Sequence, residues 1–408
     1  MAKKAIKCSQ MFDSQTGCVK ENVVILIDGD KIIDVVSAGS VGSLEDYQVI
    51  DLTGKFVTPG LIDCHMHLGS NGEGSSMGTR PYTTIGTSTL KALKNVGEDL
   101  KAGFTSIRSC GDQGYLDVAL RNAINRGEFQ GPRLMVPGIS IASTGGHADT
   151  HYNPYLEECS EVHAMSADGP DGMRKAVRTN LKYGADFIKF MSTGGVMSLG
   201  TTVGAQQMSL EEMKAICETA KMYGVITATH AHGTSGIKDA IRAGVTSVEH
   251  GMMMDEEAIQ LMKEHGTTLV PTLIAAERII VMGEKIGTPD WAIAKAKQVF
   301  ERATWGFKRC IEENIPIAFG TDTGTPYNFH GKQTYEFELM VRYGMTPTQA
   351  LMAATKTGSE LMRKQDTVGS IEAGKFADIV AFDENPLEDI KVMSHSTFVM
   401  KGGEVVKG

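Results

Sequence analysis

Through the middle of the chain, short apolar runs alternate with longer amphipathic stretches. Each run is entered from a small-residue turn and left through a polar or ionisable residue. Runs of this length, rich in β-formers and bounded by turn residues, read as strands. Eight follow one another, at residues 60–68, 102–112, 133–139, 183–195, 223–233, 243–251, 265–273 and 314–324. Between them the spacing becomes helical. In 209–224, Leu210, Met213, Ile216 and Ala220 recur at helical spacing behind Ser209 as N-cap. In 346–362, Thr346 caps and Pro347 takes the first helical position. Strand and helix alternating in this way predict an α/β chain folded as a (β/α)8 TIM barrel. A doubly wound sheet is the alternative. It is expected to carry a GxGxxG fingerprint after its first strand, and none follows it here.

The two ends are patterned differently. "NVVILIDGDKIIDVVS" (22–37) reads as a hairpin around Asp28-Gly29-Asp30, and "TFVMKGGEVVKG" (397–408) turns at Gly402-Gly403. With "FADIVAFDENP" (376–386) they predict one small β-sandwich domain assembled from residues 1–58 and 365–408, around a barrel of residues 59–364.

Composition narrows the setting. A chain of 408 residues, 41% hydrophobic and 22% charged, can bury a large core. Its net charge of −9 disfavours nucleic acid as a partner. Seven cysteines without CxxC spacing, an odd number, read as reduced thiols rather than a disulfide framework. No apolar run approaches the ~18 residues of a membrane span, and "MAKKAIKCSQMFDSQTG" holds no apolar leader core. The expectation is a soluble, cytoplasmic protein without a membrane partner.

The residues able to do chemistry gather at the strand ends. In "VTPGLIDCHMHLGS" (57–70), His65 and His67 are two apart, so on a strand both imidazoles point the same way. Such a pair suits a metal ion. Taken alone it also suits two surface histidines, or two buried ones satisfied by backbone carbonyls. In a (β/α) barrel the C-terminal strand ends build the active site. Reading only those ends adds Lys189, His230, His250 and Asp322, which would all converge at one mouth. Lys189, in "DFIKFM", shares a strand face with Phe187 and Met191, and burial there favours its neutral, nucleophilic form. A neutral amine can add carbon dioxide to give a carbamate able to bridge two metal ions; a snorkelling lysine is the other reading. Asp322 can serve as ligand, base or helix cap. The donor set suits zinc and similar divalent ions.

"PGLIDCHMH", "FIKFMSTGGV", "THAHG", "SVEHG", "FGTDTG" and "VGSIEAGKFADIVAFDENPLEDI", in that order along nearly the whole chain, resemble the amidohydrolase superfamily. The branch most resembled contains imidazolonepropionase-like proteins and metal-dependent dipeptidases of the prolidase and Xaa-Arg/Lys type. The resemblance implies that His65, His67, carboxylated Lys189, His230, His250 and Asp322 bind two divalent ions, with zinc expected. It also implies a chain that self-associates. The expected reaction is hydrolysis of the amide bond of a dipeptide or N-acyl amino acid, of Xaa-Arg/Lys or Xaa-Pro type. A metal-bridging hydroxide would attack, and Asp322 would act as base and then as acid. Lys189 separates the chain from the single-metal imidazolonepropionases and deaminases. "THAHGTSG" also lacks the glutamate expected of a deaminase after His230.

Substrate-binding candidates are His147 and His151 in "STGGHADTH" (143–151), and His232 two residues beyond His230. His147 would meet the substrate carboxylate or steady the tetrahedral intermediate. Tyr327, Asn328 or His330 in "TPYNFHG" would close over the substrate, unless that segment is an ordinary surface loop. Arg108 and Asp112, flanking the second strand's end, face the mouth or pair with each other. No acidic residue near a strand end stands out, beyond those already named, to meet a basic side chain. Cyclic amides, lactones and carbamate-type compounds are alternative substrates for the same centre. A non-catalytic binding protein is disfavoured by the complete ligand set.

Overall fold

Residues 3–73, 83–149 and 164–408 are described by a computed structural model. The terminal segments are woven into one sheet. Its strands are β1 (Lys4–Asp13), β2 (Cys18–Asp28), β3 (Lys31–Ser37) and β4 (Gln48–Pro59) from the start of the chain. The C-terminal part adds β14 (Ile379–Phe382), β15 (Ser396–Lys401) and β16 (Glu404–Lys407), and the order is β16-β15-β14-β4-β1-β2-β3. Period-two alternation gives this sheet two jobs. Ile379 and Ala381 face a core shared with Ile6, Ile25, Val57 and Met400, while Val380 and Phe382 face the core of the barrel. An ion pair between Arg133 and the buried carboxylate of Asp378 adds a polar tie between the two.

The barrel strands are β5 (Leu61–Met66), β6 (Phe104–Ser109), β7 (Arg133–Met135), β8 (Ser140–Ala142), β10 (Ile188–Met191), β11 (Thr227–Ala231), β12 (Ser247–His250) and β13 (Thr268–Val270). All their pairings are parallel, and β9 (Ala164–Ser166) adds to the outer side of β8. Two predicted strands come out irregular. The third is split: β7 pairs with β6, β8 pairs with β10, and the backbone between them bonds to carboxylates. Asp186 accepts from Val136 N and Asp117 from Gly138 N. The eighth, 314–324, closes the barrel through single parallel bridges, Leu269↔Ile317 and Met66↔Thr323.

Helix starts follow the expected caps. Ser209 and Glu212 form a capping box, as do Thr346 and Gln349. The helix expected over 346–362 is instead interrupted by a π turn, Ala353–Thr357. Its cause is a strand contact: the carbonyl of Ala353 accepts the N–H of Phe319 at 3.1 Å, which opens the ladder at that point. No helix among the described residues is long and apolar enough to cross a membrane.

Candidate metal centre

The C-terminal ends of the barrel strands surround a cavity of about 240 Å³. His65, His67, His147, Lys189, His230, His232, His250 and Asp322 all line it. Asp322 Oδ1 stands 3.2 Å from His67 Nε2 and 3.5 Å from His65 Nε2. His65, His250 and Asp322 offer donor atoms within 4.8 Å of one another. The imidazoles crowd together, with ring centroids 4.6 Å apart for His230 and His250, and 4.9 Å for His65 and His250.

Each imidazole nearest the acid is aimed by a bond on its far nitrogen. His65 Nδ1 donates to Glu249 Oε2 and His67 Nδ1 to the carbonyl of Gly111, both at 2.7 Å. His250 Nδ1 lies 2.6 Å from Thr272 Oγ1. These bonds turn the three Nε2 atoms toward the cavity, as ligation by Nε2 requires. The backbone is constrained here too. His250, Thr272 and Asp322 have φ of +70°, +47° and +57°. A left-handed β-branched threonine is an outlier, and such strain is held only where surrounding contacts enforce it.

Burial lowers the pKa of His65, His230 and His250, and the neighbouring histidines lower His230 and His250 further. Burial takes His232 down to about 3. His67 differs: burial would lower it, but the Asp322 carboxylate prevails and raises it. Lys189 is 1% exposed, and burial lowers its pKa. Its Nζ contacts Met191 Sδ at 3.6 Å, with no carboxylate of the described residues in ion-pair range.

These residues fit a divalent cation. His230 Nε2 and His232 Nδ1 are buried without a hydrogen-bond partner among the described residues. Asp322 Oδ1, though close to two imidazoles, is aligned with neither. An unpaired buried polar atom costs about 1–3 kcal/mol, which ligation removes. Neutral imidazoles and a carboxylate are a donor set suited to zinc and its neighbours.

Around this centre the structure sorts the remaining candidates. His147 stacks on His230 at 4.0 Å, and its Nδ1 meets Ser198 Oγ at 2.7 Å. Only glycine fits beneath it, since a Cβ on Gly195 would stand 2.3 Å from the ring. His232 lies 4.4 Å from His230, just past the end of β11. His151 lies outside the described residues. The 325–331 segment does not present the three side chains suggested for it. Asn328 bonds the Thr321 carbonyl, His330 bonds Asp99 and Ser70, Tyr327 packs on Phe329, and Thr325 and Pro326 line the cavity instead.

Arg108 and Asp112 do not pair with each other either. Asp112 accepts the N–H groups of Leu68 and Gly69, fixing the loop after β5. Arg108 is fully buried and binds Glu249 Oε1 at 2.7 Å. Glu249 is the functional neighbour that sequence reasoning missed. Its one signal is an acid inside the otherwise buried strand "SVEH", beside His250.

Fold and site together define a hydrolytic enzyme of the (β/α)8 class. The chain belongs to the amidohydrolase family, whose model matches residues 56–406. It is 35% identical over 374 residues to ochratoxinase of Aspergillus niger, covering 86% of this chain and 75% of that protein. A solved Xaa-Pro dipeptidase with methionine bound in its active site superposes with a TM-score of 0.91 at 37% identity, over 100% of both chains. A prolidase complexed with N-methylphosphonate-L-proline gives a TM-score of 0.91 at 31% identity, over 99% of each chain. The family and the barrel read from the motifs are thereby borne out.

Proposed function

We propose that the protein hydrolyses the amide bond of dipeptides or N-acyl amino acids with two divalent ions, zinc by preference. His65, His67, His230, His250, Asp322 and carboxylated Lys189 would hold them. One observation carries this reading: a buried lysine, without a carboxylate partner among the described residues, stands in a cavity ringed by imidazoles and the Asp322 carboxylate. The dipeptidase and prolidase likenesses support the choice of bond.

Bound there, the ions would supply hydroxide at neutral pH and polarise the amide carbonyl. The chain's own groups do the rest. Lys189 would add carbon dioxide through its neutral amine, the form that burial favours, forming the N–C bond of a carbamate and releasing one N–H proton to solvent. The Asp322 carboxylate takes the proton of the attacking water and returns it to the departing amine, which leaves poorly unless protonated. His232, held neutral, donates an N–H to the oxygen that gains charge, and His147, stacked on His230, stands on the same side of the cavity.

The test is amine release from a library of dipeptides and N-acyl amino acids by metal-reconstituted protein with bicarbonate. Asp322→Asn is the control. Release confined to the unmodified protein is expected. No release despite two ions bound per chain overturns the reading and redirects the search to cyclic amides and lactones.

A further inference from the structure

The cavity has two chemically different halves. One is apolar: Val196 and Met197 follow β10, Met252 follows β12, and Ala275, Ala276 and Ile279 belong to the helix Leu273–Met282. No acidic residue among the described lining residues lies on this half. Val196, Met252, Ala276 and Ile279 are continuous with a packed cluster that includes Ile293 and Val299 of the helix Asp290–Glu312. Lys295 on that helix donates to the carbonyls of Gly195, Ser198 and Thr201 at 3.4, 2.8 and 2.6 Å. The apolar wall is therefore built and braced before any substrate arrives.

The other half comes from the loops after β5, β6 and the eighth strand, with Ser88 and Lys91 of the helix Ile85–Lys101. Lys91 is half-buried and has no ion-pair partner among the described residues. Of the acids on this half, Glu73 is exposed at the rim, and Asp112 is committed to Leu68, Gly69 and Ser109. Beyond Lys189, Lys91 is the one lysine or arginine among the described lining residues.

We propose that the substrate lies across this division, its acyl group on the apolar wall and the carboxylate of the released amino acid at Lys91. The preferred substrates are then N-acyl amino acids with a bulky, uncharged, apolar acyl group. The orientation follows from the chemistry. An N-acyl amino acid carries its charge on the amine side of the scissile bond alone. The cation comes from the helix Ile85–Lys101, and the apolar wall from the segments after β10 and β12 and the helix Leu273–Met282. This inference rests on the amide-hydrolase reading above.

The experiment uses the metal-loaded full chain with acyl derivatives of one amino acid (acetyl, hexanoyl, benzoyl and succinyl), each as free acid and as carboxamide. Hexanoyl and benzoyl substrates are expected to exceed acetyl by about tenfold or more in kcat/KM, with succinyl below acetyl. Blocking the carboxylate should raise KM several-fold in the unmodified protein. Lys91→Met should abolish that difference by weakening the acids alone. Ala276→Asp should collapse the hexanoyl-to-acetyl ratio. An active enzyme indifferent to the acyl group, or a Lys91→Met protein that loses acids and amides equally, overturns the inference. The first of these needs no variant to fold. If no member is cleaved while metal-loaded protein still releases amine from dipeptides, this inference fails alone; if neither is cleaved, the amide-hydrolase reading fails and takes this one with it.

Discussion

Glu249 Oε2 lies 2.7 Å from His65 Nδ1, while Glu249 Oε1 lies 2.7 Å from a guanidinium nitrogen of Arg108. All three side chains are essentially without solvent. Burial would raise the Glu249 carboxyl, but Arg108 and the His65 bond outweigh it and hold it at about 2. A permanent carboxylate on Nδ1 fixes one tautomer of His65 and leaves Nε2 free for the cavity.

Glu249→Ala should cost about 3–5 kcal/mol, because it leaves the Arg108 charge buried and unpaired. Glu249→Gln keeps an acceptor for the histidine but not the charge. It should fold while holding metal roughly 10–100-fold more weakly, read by chelator competition. Equal metal affinity in Glu249→Gln and the unmodified protein would leave the carboxylate with a packing role only.

Lys189→Met separates stability from metal binding. The lysine amine is buried against a thioether, so an apolar side chain of similar length should leave the melting temperature unchanged or raise it. Metal bound per chain should fall, as measured by elemental analysis. The unmodified protein, freed of carbon dioxide, should lose metal and activity and regain both with bicarbonate. Indifference to bicarbonate would argue against a carbamate.

Asp322→Asn preserves the backbone, because asparagine tolerates the left-handed conformation that Asp322 occupies. It should therefore fold, yet lose about 10²–10⁴ in kcat through the missing proton transfer. Asp322→Val cannot adopt φ of +57° without strain, so it should also lower the unfolding midpoint. Thermal unfolding of both variants beside single-turnover rates distinguishes the two effects.

The sequence made legible what depends on local periodicity and on residue type at strand ends. His65 and His67 stand two apart on one strand, and Ser209 and Thr346 stand at the starts of helices, because those relations span a few residues. The pairing of Arg108 with Glu249 was not readable, since it joins strands 141 residues apart across the barrel. Nor was the left-handed backbone at His250 and Asp322, which neighbouring strands impose. The π turn at Ala353–Thr357 depends on one N–H from the eighth strand and leaves no trace in a helical pattern. The loop at 325–331 stayed open to both readings for a similar reason. Its polar side chains resemble substrate contacts until their distant partners are seen.

His330 supplies a pH-dependent brace at the cavity's edge. Its Nδ1 lies 2.8 Å from Asp99 Oδ2 and its Nε2 2.9 Å from the Ser70 carbonyl. Both partners are acceptors, so the ring must carry a proton on each nitrogen to satisfy both. Burial would lower its pKa, but the charge and hydrogen bond of Asp99 raise it above the usual 6.5. A group whose folded pKa is raised gives its full stabilisation below its unfolded pKa and loses it as pH climbs through the folded value. The brace ties the loop after β5 to the loop after the eighth strand, and both loops line the cavity. His330→Gln should therefore destabilise the protein by about 1–3 kcal/mol below the usual histidine pKa of 6.5, leaving buried Asp99 only the Gly331 N–H and the Gln333 amide as donors. The gap between the two proteins' urea midpoints should narrow as pH climbs above 6.5 and through the raised folded value. A gap independent of pH would mean that the histidine stays neutral and that one of its two contacts is unmade.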